Sequence, residues 1–299
     1  MWSSTTTTTP NRSAGRAAFL LLAATGLVST SFAQTVEMRP PTAAIAGQPN
    51  AIQTSGSGEA TFYLLGPAHT SKQLVNLGHE IQLPADQLRA AGRYLAILCS
   101  SACQSASFFV TAASPASLSF LVHPSRVPVK QENAISGVAF PFDKFSNLVL
   151  SPVTVDFQLK LSGGDSLSRP TPTQHGVAWF RAYSGNHAGA AQLVASLGDL
   201  SVRRVVQQVA SDPCNLRIRA QRTAKGILVE TEPVRDCSGN PVPDGTIVTF
   251  TETGPGGKST VDMPIKLGVA RVELLASAPA VISVASGVVM GNELRLGAQ

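Results

Sequence analysis

At 299 residues the chain is long enough for two or three small domains. Its formal net charge is +5, yet only Arg203 and Arg204 are adjacent among its basic residues. That scatter excludes the basic patch with aromatic partners that a nucleic-acid reader needs.

Residues 1–33 read as a signal peptide. Arg12 and Arg16 form a basic n-region free of acidic residues, and the apolar run AAFLLLAATGLV follows at 17–28. Ser31 and Ala33 then hold the small-residue positions of a cleavage site. The run falls short of the roughly 20 apolar residues that span a bilayer. No Cys follows it to carry a lipid anchor, and no membrane span is expected in the mature chain from Gln34. Without Arg12 and Arg16 the net charge falls from +5 to +3. The expected location is the periplasm, the cell surface or the medium.

After the leader, period-two alternation dominates, broken by Gly, Pro, Asn and Ser. Such runs at close spacing predict an all-β fold of sandwiches. The best helical candidate is PADQLRAAG at 84–92, one or two turns at most. A first domain is expected over 34–112. Its EATFYLL run at 59–65 places Phe62 and Leu64 on one face. In AGRYLAILC, Gly92, Tyr94 and Ala96 are spaced like the corner of an immunoglobulin fold, where a Tyr hydroxyl bonds an upstream backbone group. Ala96 stands where antibody domains carry a Cys, so no inter-sheet disulfide of that kind is expected. An ordinary half-buried strand tyrosine fits Tyr94 equally well.

The four cysteines, even in number in an exported chain, predict two disulfides. Cys99–Cys103 would close a hairpin tip, and Cys214–Cys237 would tie neighbouring strands. Paired C-x-x-C spacings for a metal are absent.

Two stretches repeat. DKFSNLVLSPVTVDF at 143–157 aligns without a gap on DCSGNPVPDGTIVTF at 236–250, and GVAWFRA from Gly176 matches GVARVEL from Gly268. The offsets are 93 and 92 residues, the size of one small sandwich. A second domain is therefore expected over 113–212 and a third over 213–299, with TAASPAS at 111–117 as a linker. In the third, Pro241, Pro243, Asp244 and Gly245 form a turn that leads into a strand with Thr246, Val248 and Phe250 facing the core.

The string Asp236, Gly239, Asn240, Pro241, Pro243, Asp244, Gly245, Phe250 and then Gly268 closely resembles the bacterial immunoglobulin-like domain found in tandem in invasin- and intimin-type adhesins. The second domain resembles a diverged copy, in which Leu148, Leu150, Ser151 and Pro152 replace Pro241, Pro243, Asp244 and Gly245. The resemblance implies tandem immunoglobulin-like β-sandwiches. It does not by itself carry adhesin activity.

Catalytic signals are weak. GDSL at 164–167 matches an esterase string with Ser166 as nucleophile, but no histidine has the Asp three residues before it that would complete the pattern. The setting reads as a polar loop. The five histidines lack convergent metal spacing. Asp236, Asn240 and Asp244 could offer oxygens to calcium, but turn and capping roles fit them better than a calcium loop. No phosphate loop or cofactor site is expected. Trp179, opposite Ala178 and Phe180, forms a binding patch with Tyr183 if its face is outward; under a neighbouring domain it is an interface residue.

The expectation is a non-enzymatic exported protein serving adhesion, spacing or envelope assembly. The alternative is a binding module that holds its ligand in loops of the first domain. An envelope or cell-surface protein or a polysaccharide is the expected partner.

Overall fold

The computed structural model describes residues 36–275 and 279–297. The leader expected at 1–33 lies outside them. Among the described residues every regular element is a strand.

The first sandwich contains β1 (Met38–Arg39), β2 (Ala44–Ile45), β3 (Asn50–Thr54), β4 (Glu59–Leu65), β5 (Thr70–Asn76), β6 (Ile81–Leu83), β7 (Gly92–Cys99) and β8 (Cys103–Thr111). They form a three-stranded sheet, β1-β3-β6, and a five-stranded sheet, β2-β8-β7-β4-β5. The second contains β9 (Ser117–His123), β10 (Arg126–Pro128), β11 (Ile135–Phe142), β12 (Thr154–Lys160), β13 (Ser166–Pro172), β14 (Ala178–Ala182), β15 (Gly189–Leu197) and β16 (Leu200–Val209). Its sheets run β14-β11-β9 and β10-β16-β15-β12-β13. The third contains β17 (Pro213–Cys214), β18 (Ile218–Arg222), β19 (Ile227–Thr231), β20 (Arg235–Asp236), β21 (Ile247–Gly254), β22 (Gly257–Pro264), β23 (Arg271–Leu274), β24 (Ala280–Ser286), β25 (Val289–Met290) and β26 (Leu294–Leu296). Its sheets run β18-β19-β23 and β22-β21-β24, with β25 and β26 both on β24.

Alternation builds each core. Phe62 and Leu64 of β4 meet Tyr94, Ala96 and Leu98 of β7 inside the first. In the second, Phe157 stacks on Phe180 at 4.6 Å between ring centroids and meets Phe120 at 5.7 Å. Val248 and Phe250 anchor the third with Val229, Ile282 and Val284. Each buried Val, Leu, Ile or Phe among them contributes about 1.5–3 kcal/mol.

The first sandwich shares the layout of the second. In both, a short early strand pairs parallel to the last one, β2 on β8 and β10 on β16. The kinship is faint in sequence because only the inward positions are constrained to be apolar.

Two local expectations are corrected. The 84–92 segment forms turns instead of a helix, with Gln87 N–H on Pro84 O and Leu88 N–H on Ala85 O. The carbonyls that a helix would use are taken elsewhere. The Tyr94 hydroxyl donates to Gln87 O and Ala90 O, Gly47 N–H to Leu88 O, and Asn147 to Arg89 O. The GDSL stretch is a tight hairpin and not a polar loop: Ser166 begins β13 opposite Lys160. Pro170 and Pro172 are accommodated because β13 is an edge strand.

Candidate functional site

The turn of the third sandwich is built around a buried carboxylate. Asp236 Oδ1 accepts from Ser238 N–H at 2.8 Å and Asn240 N–H at 2.9 Å, and Oδ2 accepts from Ser211 N–H at 3.1 Å. The Asn240 amide donates to both oxygens, at 3.2 and 3.0 Å. Burial pushes the Asp236 carboxyl up. The bonds from Asn240, Ser211 and Ser238 outweigh that and hold its pKa below the ordinary range. Gly239, at φ +83°, lets the chain turn inside the ring.

Asn240 then leaves its own sandwich. Its Nδ2 donates to Asn186 O at 2.8 Å, and its Oδ1 accepts from Ala188 N–H at 2.8 Å. Both partners lie in the β14–β15 loop of the second sandwich.

The second sandwich repeats the device. Asp143 Oδ1 accepts from Phe145 and Asn147 N–H at 2.8 and 2.9 Å, and Oδ2 from Ala113 N–H at 3.0 Å. Asn147 donates to Arg89 O at 2.7 Å and accepts from Ala91 N–H at 2.8 Å, in the first sandwich. Burial again pushes the carboxyl up, and Asn147, Ala113 and Phe145 together hold the pKa of Asp143 low. The Asp-x-x-x-Asn box is thus a joint between consecutive sandwiches. Sequence comparison showed the repeated Asp and Asn, but not their reach into the preceding sandwich.

The rest of the turn is structural too. Asp244 accepts from Leu267 N–H at 2.9 Å and Gly268 N–H at 3.1 Å, which lowers its pKa. Gly245 and Gly268 have φ of +90° and +80°. Pro241 bridges to Arg235, and Pro243 O accepts from the Thr246 hydroxyl at 2.9 Å. The carboxylates of Asp236 and Asp244 are therefore occupied by N–H donors. Among the described residues no group of three or more His, Cys, Asp or Glu is placed to hold a metal.

Cys99 and Cys103 are bonded across the β7–β8 hairpin, with their Cα atoms 4.0 Å apart. Cys214 is bonded to Cys237, with Cα atoms 4.9 Å apart, tying β17 to the residue after β20. No hydrogen bond joins Ser166 to a histidine among the described residues.

Trp179 lies outward on β14, 58% exposed, and does not pack beneath a neighbouring sandwich. Tyr183 is 47% exposed just beyond the strand end. Trp179 pairs across the sheet with Val138, and Val138 with the exposed Leu121. The Arg181 guanidinium stands 5.9 Å from the indole centroid. The corresponding row of the third sandwich is Arg271–Glu230–Arg219. There Glu230 is bridged by both arginines, at 2.9 and 2.5 Å. The second sandwich thus carries an apolar triad where the third carries an ion-paired one. The contrast of Trp179 with Arg271 is visible in the two Gly-Val-Ala strands; Leu121 and Val138 are not, because strand pairing brings them in from far away.

The sequence matches no family model and no curated protein. Among solved structures, the chain is similar to the Escherichia coli adhesin FdeC, with a TM-score of 0.59 and 14% identity over 89% of this chain and 97% of that one. It is also similar to invasin, a bacterial integrin-binding protein, with a TM-score of 0.50 and 12% identity over 88% of this chain and 60% of that one. The chain has the tandem immunoglobulin-like sandwich fold seen in these bacterial adhesins.

Proposed function

We propose that the chain is a non-enzymatic exported protein whose sandwiches, over 34–112, 113–212 and 213–299, space and present a binding face in cell-surface adhesion. Residues 1–33 would direct export. The Leu121–Val138–Trp179 row carries the reading: an outward apolar triad stands in a register position where the sister sandwich keeps ion pairs. Exposed apolar patches rimmed by polar groups mark interaction sites. Trp and Tyr supply contact area at small entropic cost, and Arg181 adds a charge beside the ring. A cell-surface protein or polysaccharide fits such a face.

Two measurements test it. Protease applied to intact source cells should cleave the chain; protection until the outer membrane is opened would move it to a periplasmic assembly role. On protein and glycan arrays, purified chain should bind a surface component, and Trp179→Ala with Tyr183→Ala should lose that binding. Binding kept by the variant, or found in residues 34–112 alone, would shift the site to the first sandwich.

A further inference from the structure

The five-stranded sheet of the first sandwich turns an apolar face to solvent. Tyr63 and Leu65 of β4, Leu95 and Ile97 of β7, Leu74 of β5 and Phe109 of β8 all lie on it. By register Tyr63 opposes Ile97 and Leu65 opposes Leu95, while Leu74 lies opposite Thr61 and Phe109 opposite Arg93. Leu74 is 67% exposed and Phe109 65%.

The sister sandwiches serve as internal controls. Phe62 opposite Leu98 corresponds to Phe157 opposite Ala195 and to Phe250 opposite Val284. In that alignment Tyr63 and Leu65 become Gln158 and Lys160 in the second sandwich, and Thr251 and Thr253 in the third. Leu95 and Phe109 become Gln192 and Gln207 in the second. The second copy keeps Val194 in place of Ile97 and an exposed Val205, and the third keeps Val281 in place of Leu95. Both replace Tyr63 and Leu65 by polar residues, so the fold requires less apolar surface here than the first copy presents.

The charges at the two ends of this face select its occupant, while Lys72, midway along it on the edge strand, can extend its ammonium past the sheet edge into water. Glu59 lies at the end nearest the Cys99–Cys103 tip, and Arg93 at the opposite end, beside Phe109. A two-fold axis across the strands exchanges the two ends. A second copy laid face to face would set Glu59 of each chain beside Arg93 of the other and cover the apolar rows between them. Lys72, on the edge strand β5, stands 5.7 Å from the Tyr63 ring centroid. A lysine there discourages edge-to-edge strand addition and leaves the face as the route of association. Sheets pack this way at about 10 Å with strands nearly aligned.

We propose that the chain forms a two-fold dimer through this face of its first sandwich. The inference is independent of the Trp179 strip.

Sedimentation velocity on the purified chain over a concentration series tests it. The expected result is a monomer–dimer equilibrium. Leu74→Glu with Phe109→Glu should raise the dissociation constant by more than about tenfold, as burying charges in place of exposed apolar anchors does. Trp179→Glu should leave it unchanged. Arg93→Glu should weaken the dimer, and the exchanged pair Glu59→Arg with Arg93→Glu should restore it. All these side chains are on the surface, and an unchanged thermal transition confirms folding of each variant. A monomer at every concentration overturns the proposal, including one that captures a different protein. So does a dimer indifferent to Leu74→Glu with Phe109→Glu.

Discussion

Asn240 and Asp236 form a buried pair, with Nδ2 3.0 Å from Oδ2, and the same amide nitrogen reaches Asn186 O at 2.8 Å in the preceding sandwich. One side chain therefore closes its own turn and holds a joint.

Asn240→Ala should cost about 1–3 kcal/mol, because it strips buried acceptors of their donors. Asn147→Ala should cost a similar amount at the first joint. The sites are far apart, so the double variant should be additive within about 0.5 kcal/mol. Denaturant midpoints give the energies. Small-angle scattering should show a broader distribution of inter-sandwich distances in each variant.

Acid should loosen both joints. Asp143 and Asp236 titrate below the ordinary carboxylate value in the folded chain. A depressed folded pKa stabilises the fold fully above the unfolded value of about 3.9, and that stability disappears as pH falls through the folded value. Unfolding free energy measured from pH 6 downward should drop below about pH 4. Asp143→Asn with Asp236→Asn should flatten that drop. An equally steep fall in the variant would assign it to other carboxylates.

Gly47 and Phe145 make a second contact at the first joint. A Cβ at Gly47 would lie 2.2 Å from the Phe145 ring, and Gly47 has φ +71°. Lys130 takes the equivalent place in the second sandwich, at φ +59°: each donates its N–H to the β6–β7-type loop, on Leu88 O and Gly185 O respectively. The backbone alone tolerates a side chain; the Phe145 ring does not. Gly47→Ala should destabilise by about 1–3 kcal/mol through overpacking. Phe145→Ala combined with Gly47→Ala should recover part of that loss by thermal melting.

The two disulfides should differ in weight. In the chain-entropy model the Cys214–Cys237 loop, with a separation of 23 residues, is worth about 3 kcal/mol, and the four-residue separation of Cys99–Cys103 about 2 kcal/mol. Paired Cys→Ala variants compared by denaturant midpoint check the order.

The inward and outward side chains of β12 and β14 should respond very unequally to truncation. Phe157→Ala should cost about 3–5 kcal/mol, since its ring is fully buried. Trp179→Ala should stay within about 0.5 kcal/mol, since its ring is mostly in water. A large loss at Trp179 would make it a structural residue and remove it from the binding face.

Much of this was legible in the sequence because strand alternation is local. Val248 and Phe250, or Ala178, Phe180 and Ala182, declare their inward face within one strand. The Asp-to-Asn spacing declared a turn, and Tyr94 a candidate corner. The 84–92 segment misread as helix for a definite reason: its composition favours helix, while its carbonyls are used by Tyr94, Gly47 and Asn147 from other parts of the chain.

Local pattern along the chain specified an all-β protein of repeated sandwiches, which residues face inward, and the turn that precedes the strand shared by the two copies of the repeat. These follow from period two and from the φ demands of Gly, Asn and Pro, which act over a few residues. Long-range contacts established that Asn147 and Asn240 bridge sandwiches, that Trp179 faces water, and that Leu121, Val138 and Trp179 form one row. Those relationships depend on strand register and on how one sandwich meets the next. Both are set by contacts between residues distant in the chain, which local pattern does not encode.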